Sequence, residues 1–384
     1  MKEKICITGC GVVSAIGVGQ AASLESLLHA RSGVKPVRYV EGWSQEFPVG
    51  EVPLSNAELS ALCGAPADWP RTTLLSIVAL QEALAQAGLA DGSGMRLIGG
   101  TTVGGMDLTE RIYPRYSPNH GCGASTDLAA LFVGGFEDAT TISTACSSAA
   151  NAFIFGANLI RTGQCERVVA GGSESLSLYH LNGFNSLMIL DRQPCRPFDA
   201  TRAGLNLGEG AAYLVLETAE SALKRGAKPL ACLSGFGNAC DAFHQTASSE
   251  NGEGAFLAMS KALAMAGLKP SDIDYVNAHG TGTPNNDASE STALKRIFTE
   301  GVPPVSSTKA FTGHTTSASG SIEAVFCLLA LQQGFLPPQL NWHTPDPACV
   351  TPFTSALKKP VKHILSNAFG FGGNDSSLIF SAYE

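Results

Sequence analysis

The chain has 384 residues, 44% apolar and only 15% charged, so most of it must be packed interior. A net charge of −8 without a basic tract argues against nucleic-acid binding as the main role, and the 11 cysteines, with no CxxC and no His/Cys cluster at ligand spacing, argue against a zinc site or disulfide framework. No apolar run reaches bilayer-spanning length and the N-terminus lacks a signal-peptide h-region, so a soluble, cytoplasmic, reduced protein is expected.

In chain order, residues 4–8 read as a strand running into a glycine turn. Residues 74–87 carry apolar i, i+3, i+4 spacing and stop at Gly88, as a helix does. Residues 96–99 and 167–170 read as buried strands ending in glycines. Between them, 136–143 form a loop entering a short β-branched run. The stretch 149–160 is apolar on nearly every face, which predicts a buried helix. Residues 213–217 are a further strand. A second series then begins: strand 230–235, helix 254–266, strand 275–278, helix 321–332, and closing strands 363–367 and 378–381. This alternation predicts parallel sheets with crossover helices.

The two series look related. Ile5-Cys6-Ile7-Thr8-Gly9-Cys10-Gly11 matches Ala231-Cys232-Leu233-Ser234-Gly235-Phe236-Gly237, and Gln86-Ala87-Gly88-Leu89 matches Met265-Ala266-Gly267-Leu268. Such self-similarity predicts an internally duplicated α/β fold. The best junction is 224–229, giving a half at 1–226 and a half at 227–384.

Four motifs carry chemistry. The first is Thr144-Ala145-Cys146-Ser147-Ser148, with Cys146 at the mouth of the apolar helix. Unpaired N–H groups and the positive dipole end there favour thiolate. The second is Asn277-Ala278-His279-Gly280-Thr281-Gly282-Thr283, a strand opening into a turn where a ligand can approach the backbone. The third runs from Ser306 through Lys309 to His314, then through small residues to Gly320 and Glu323. The fourth is Asn367-Ala368-Phe369-Gly370-Phe371-Gly372-Gly373-Asn374. Taken singly, a cysteine is most often a small buried hydrophobe, a histidine a hydrogen-bonded core residue, and a lysine a solvated charge. All four in this order are hard to explain without shared chemistry.

Together these motifs, with Ala170-Gly171-Gly172-Ser173-Glu174 and Arg196-Pro197-Phe198-Asp199, resemble the β-ketoacyl synthases over essentially the whole chain. These are condensing enzymes of fatty acid and polyketide synthesis. The resemblance implies a thiolase-like α/β fold: two duplicated βαβαβαββ halves in a five-layered αβαβα core, normally dimeric. It implies that Cys146 takes an acyl chain from a carrier-protein thioester, since a thiolate attacks a thioester and leaves at similar cost. Backbone N–H groups of Cys146 and Phe371 would hold the oxyanion, and Phe371 would also gate the site. His279 and His314 would bind the malonyl thioester carbonyl during decarboxylation. Lys309 and Glu323 would organise the site by charge pairing, and Thr281, Thr283 and Gly372 would meet the pantetheine arm. No cofactor is implied beyond the phosphopantetheine carried by the acyl carrier protein, and no metal. The Cys-His-His pattern points to an elongating synthase rather than an initiating synthase or a thiolase.

Two departures narrow this picture. The segment 107–143 is shorter than in ordinary elongating synthases, where it contributes to the dimer contact and acyl tunnel, and the loop 182–196 is compact. Such trimming resembles synthases of specialised pathways, including aryl-polyene synthases that work with a partner subunit, so the expected assembly is a homodimer or a heterodimer with a chain-length subunit. Thr109 stands where elongating synthases often place a bulky aliphatic gate, and is expected to line the acyl pocket. A non-condensing acyltransferase or thioester hydrolase on the same fold is the alternative, and a scaffold subunit without catalysis is a third; His314 and Lys309 count against the former and Cys146 against the latter.

Overall fold

The computed structural model describes residues 4–383; Met1–Glu3, at the head of the N-terminal stretch, lie outside them. The strands, in chain order, are β1 (Ile5–Ser14), β2 (Gly17–Val18), β3 (Arg96–Gly100), β4 (Asp138–Ile142), β5 (Arg167–Glu174) and β6 (Gly210–Thr218). They continue as β7 (Ala231–Cys240), β8 (Tyr275–Asn277), β9 (Val305–Ser306), β10 (Phe335–Leu336), β11 (Leu357–Lys358), β12 (His363–Gly370) and β13 (Asn374–Ser381). All but β10 and β11 join one sheet in the order β4-β3-β5-β6-β1-β7-β13-β12-β8-β9, with β2 paired to β1. Read outward from the centre, each side repeats the other: β1 matches β7, β6 matches β13, β5 matches β12, β3 matches β8 and β4 matches β9. The sides meet over three residue pairs, Ile5↔Leu233, Cys6↔Cys232 and Ile7↔Ala231.

The helices are α1 (Gln20–Leu28), α2 (Asn56–Cys63), α3 (Arg71–Gln86), α4 (Met106–Ile112), α5 (Ala124–Val133) and α6 (Ser148–Arg161). The rest are α7 (Leu178–Ser186), α8 (Ala219–Lys224), α9 (Glu253–Ala266), α10 (Pro284–Ile297), α11 (Lys309–Thr312) and α12 (Ser319–Gln333). Helix α3 packs on β1 and β6, and α9 packs on β7 and β13; α6 lies on β3 and β5, and α12 on β6 and β12 and against α6. The result is five layers, with α6 and α12 in the middle.

The matched glycines explain how the outer helices come so close. A Cβ on Gly9 or Gly11 would lie 2.2 or 2.0 Å from the carbonyl oxygens of Ala83 and Ala79 on α3. At Gly235 and Gly237 it would lie 2.3 or 2.2 Å from those of Ala262 and Ala258 on α9. The repeated G-x-G is thus a packing device at equivalent places in the two halves.

Two expectations need correction. The sheet is mixed rather than parallel: β3 pairs parallel with β4 and β5, and β8 with β9 and β12, but β6-β1-β7-β13-β12 are joined antiparallel. The physical reason at β12–β13 is chain length, since the turn Gly370–Asn374 is far too short for a parallel crossover, which needs a dozen or more residues. Helix α6 is not buried on every face either. Phe155, Asn158 and Arg161 form an exposed stripe, whereas α12 has 12 buried residues among 15 and fills the centre.

Candidate active site

Cys146 sits in a tight turn before α6. Ala145 adopts φ 53°, unusual for a residue with a Cβ, and so turns the chain sharply to present the next side chain. Local hydroxyls hold that shape. Ser148 Oγ donates to the Ala145 carbonyl at 2.6 Å and accepts from the Thr144 N–H at 2.9 Å. Ser147 Oγ donates to the Thr144 carbonyl at 2.7 Å.

Opposite lies the β12–β13 turn. Gly372 and Gly373 have φ of 83° and 77°, a region open to glycine without strain. A Cβ on Gly370 would come within 2.8 Å of the Thr144 carbonyl oxygen, so the turn presses directly on the cysteine loop. The Asn374 side-chain oxygen accepts from Asn151 Nδ2 at 2.7 Å and Asn238 Nδ2 at 2.9 Å and lies 2.8 Å from Ser147 Oγ, whose one hydrogen it shares with the Thr144 carbonyl, fastening the two together. The Phe371 backbone N–H consequently reaches the Cys146 sulfur.

The histidines come from the other half. His279 follows β8, its backbone N–H and that of Gly280 donating to the Glu290 carboxylate of α10 at 2.9 and 2.8 Å. His314 precedes α12, with Nε2 3.1 Å from the Cys146 sulfur and Nδ1 3.0 Å from Ser319 Oγ. The two imidazoles meet edge to face, with centroids 5.2 Å apart. Behind them Lys309 Nζ pairs with Glu323 Oε1 at 2.6 Å, both side chains buried.

Burial dominates the electrostatics. It pushes the Cys146 thiol up to about 12, outweighing the Lys309 charge and the backbone N–H groups of Phe371 and Cys146, which act the other way. The expected resting thiolate is therefore corrected to a thiol: α6 begins only at Ser148, and a helix end two residues away does not offset removal from water. Burial, then the Lys309 cation, hold both His279 and His314 well below the usual histidine range, so both rings are neutral. Burial also raises Glu323 to about 7 against the pull of Lys309.

One cavity of about 360 Å³ is lined by Cys146, His279, Thr281, Thr283, His314, Phe371 and Gly372. Lys309 and Glu323 stand behind its wall. Thr109 is not brought to it; its hydroxyl is engaged sideways, 2.9 Å from His120 Nδ1. Several residues escaped the sequence reading. Ser319 sets the orientation of His314, Glu290 that of the His279 loop, and Phe184 on α7 lines the cavity and stacks on Phe371 at 5.8 Å. Ser319 lies in a run of hydroxyl residues with nothing to single it out. Phe184, a lone aromatic amid Asn and Gly, was the most findable of the three.

The family described as Beta-ketoacyl synthase, N-terminal domain, matches residues 2–222, and the one described as Beta-ketoacyl synthase, C-terminal domain, matches residues 230–343. The chain belongs to the β-ketoacyl synthase family. It is 35% identical to Nodulation protein E of Rhizobium meliloti, with 99% of each chain covered. That alignment spans 410 positions against a chain of 384 residues, so the relative carries residues with no counterpart here. It is 32% identical to 3-oxoacyl-[acyl-carrier-protein] synthase 2 of Synechocystis sp., covering 100% of this chain and 99% of the relative. Among solved structures, the ishigamide ketosynthase/chain length factor matches with a TM-score of 0.92 at 30% identity over 100% of both chains. Condensation in fatty acid or polyketide chain elongation is the activity this β-ketoacyl synthase shares with its family. Among the described residues, no helix is long and apolar enough to cross a membrane.

Proposed function

We propose that this chain performs a decarboxylative Claisen condensation between an acyl group held on Cys146 and malonyl-acyl carrier protein, giving 3-oxoacyl-acyl carrier protein. The observation that carries the reading is the contact of His314 Nε2 with the Cys146 sulfur at 3.1 Å inside a cavity that also holds His279 and the Phe371 turn. Because the thiol starts protonated, His314 takes its proton as the sulfur attacks the incoming thioester, and returns it to the departing pantetheine sulfur. The Cys146 and Phe371 N–H groups hold the oxyanion in between. Malonyl thioester then enters past Thr281 and Thr283. Loss of carbon dioxide leaves an enolate, whose oxygen accepts hydrogen bonds from His279 and His314. Ser319 makes both roles of His314 compatible, because a hydroxyl accepts from Nδ1–H or donates to bare Nδ1, leaving Nε2 an acceptor or a donor as needed. The enolate carbon attacks the acyl carbon, the carbon–sulfur bond breaks, and the Cys146 thiolate takes a proton from solvent to restore the thiol. Burial, and then the Lys309 cation held in place by Glu323, keep both imidazoles uncharged at rest.

We assign the residues before about 226 to the half bearing the nucleophile and those after it to the half bearing the histidines. The relative described as a ketosynthase/chain length factor suggests a second subunit of related fold. Strand β4 ends the sheet, and Tyr113, Tyr116 and Leu131 in the shortened segment are 81%, 75% and 76% exposed, as surface awaiting a partner would be. A non-condensing acyltransferase would need neither two histidines in one cavity nor a buried Lys–Glu pair behind them. The test is incubation with acyl- and malonyl-acyl carrier protein, reading product mass. A 3-oxoacyl product with release of carbon dioxide is expected; free acid or unextended acyl chains alone would replace condensation with hydrolysis or transfer.

A further inference from the structure

The strand pair that joins the two halves carries two cysteines with no part in the chemistry above. Cys6 on β1 and Cys232 on β7 are direct partners in the antiparallel register, the middle one of the three residue pairs where the halves meet. They stand at equivalent places in the repeat, Ile5-Cys6-Ile7 against Ala231-Cys232-Leu233. Both are free thiols, and neither lines the cavity that holds Cys146.

Side-chain alternation puts the two sulfurs on one face. Ile5, Ile7, Ala231 and Leu233 pack in the central core with residues of α12, so Cys6 and Cys232 face the other way. Directly opposed residues on antiparallel strands hold their Cβ atoms about 4.5–5.5 Å apart, close to the separation a disulfide spans. The two thiols are in contact, the Cys6 S–H donating to the Cys232 sulfur. That hydrogen bond, helped by the Lys4 cation, holds Cys232 below the usual thiol range in spite of its burial. Cys6, as the donor and fully buried, is pushed up.

Access separates the pair as well. Cys232 is 7% exposed and lines a cavity of about 310 Å³ with Lys4, Ser234, Met265 and His363; Cys6 is 0% exposed and does not line it. A small oxidant in that cavity meets the sulfur with the greater thiolate character, and a second sulfur touches the first. Oxidant-sensing cysteines are built this way, an accessible thiol of lowered pKa beside a resolving one.

We propose that Cys6 and Cys232 form an oxidisable dithiol site that takes hydroperoxides and closes a disulfide between the two halves. With hydrogen peroxide, the Cys232 thiolate attacks one oxygen and the O–O bond breaks. The departing hydroxide takes up the proton that the Cys232 thiol gave up, which leaves a sulfenic acid and one water. The Cys6 sulfur then attacks the Cys232 sulfur. The S–O bond breaks as the S–S bond forms, and hydroxide leaves with the Cys6 proton as a second water. Two thiols thus lose two electrons, and one peroxide becomes two waters. The new bond ties β1 to β7 at a junction whose backbone pairing spans three residue pairs, and a thiol reductant reopens it.

The experiment treats the full, folded chain with hydrogen peroxide, blocks the remaining thiols with N-ethylmaleimide in denaturant, and maps cysteine peptides by mass without reduction. A peptide linking Cys6 to Cys232, lighter by two hydrogens than its separate parts, should exceed every other pairing within the chain by about tenfold or more. Burial pushes the Cys10, Cys146, Cys195 and Cys327 thiols up and so slows their attack on peroxide. Dithiothreitol should remove the linkage. In Cys6→Ser the reaction should stop at the sulfenic acid, with dimedone labelling of Cys232 about tenfold or more above that of the unaltered chain. In Cys232→Ser, Cys6 should stay a free thiol. Absence of the linkage in the unaltered chain, or pairing of Cys232 with a different cysteine, overturns the proposal; so does oxidation of Cys6 in folded Cys232→Ser. The unaltered chain decides by itself, so a serine variant that fails to fold leaves the test intact.

Discussion

At the scale of single residues, burial favours the uncharged forms of Cys146, His279 and His314. A thiol pushed up to about 12 beside an imidazole held well below its usual range will not form an ion pair at rest. His279 and His314 should therefore separate by half-reaction. His279→Ala should still accept an acyl group on Cys146 yet lose about 100-fold in release of carbon dioxide from malonyl carrier protein, as loss of one preorganised donor does. His314→Ala should lose decarboxylation similarly and also slow acylation, because Cys146 then lacks its proton acceptor. Single-turnover acylation and carbon dioxide release, measured side by side, check both. Lys309→Met leaves the Glu323 carboxyl buried without its cation, and should destabilise by about 3–5 kcal/mol, since a broken buried pair leaves an uncompensated charge. The loss should be smaller at pH 5 than at pH 8, where Glu323 must be ionised or take up a proton; urea unfolding at the two pH values tests this. Much of this site was legible from Cys146, His279, Lys309, His314 and Phe371, because each lies in a distinctive local motif. Ser319 and Glu290 were not, because they act through space on residues five and eleven positions away. The state of Cys146 was misread for a different reason: a helix end is visible in sequence, but the depth of burial that overrules it is not.

At the scale of elements, the β12–β13 turn is the part whose stability matters most to chemistry, because it carries the Phe371 N–H. A pair of acids lies under it. Asp241 accepts from Ser249 N–H, Ser249 Oγ and Gly254 N–H at 2.7, 2.7 and 3.0 Å. Asp375 is buried and lies near it: Asp375 Oδ2 and Asp241 Cβ are 2.3 and 2.8 Å from where a Gly254 Cβ would stand. Burial, then Asp241 and Glu290, push Asp375 up to about 8. An acid whose folded value is raised above its unfolded one holds its proton more tightly when folded, so the stability it supports is fully present below about pH 4 and is lost as pH rises through about 8. Asp375→Asn should remove that slope and stabilise the enzyme by about 1 kcal/mol or more at pH 9, since a tenfold change in proton affinity corresponds to ~1.4 kcal/mol. Thermal unfolding from pH 5 to 9 gives the answer, and parallel slopes in the two proteins would contradict it. Element positions were largely readable from periodicity: α3, α9 and α12 lie within three residues of their expected bounds. Sheet direction was not, because strand alternation looks the same whether a chain returns parallel or antiparallel until the connecting lengths are known.

At the scale of the whole molecule, the site exists because two similar halves meet back to back. Cys146 leads α6 in one half, His279 and His314 flank β8 and α12 in the other, and α6 packs on α12 between the layers. The duplication was visible in the paired G-x-G strands and the paired Ala-Gly-Leu helix ends. The exposed stripe on α6 was not, since Phe155, 41% exposed, reads as core in an apolar run. That stripe and the Tyr113–Leu131 surface should be covered by a second subunit. Light scattering of the active enzyme should give at least twice 39.8 kDa, alone or with its partner, and a fully active species at 39.8 kDa would remove the partner. The most direct test of the central claim is peptide mass spectrometry after exposure to acyl carrier protein thioester, before and after addition of malonyl-acyl carrier protein. One acyl adduct is expected on Cys146, absent in Cys146→Ala and discharged as 3-oxoacyl-acyl carrier protein. An adduct on any other of the 11 cysteines, or one that malonyl-acyl carrier protein does not discharge, would contradict the account.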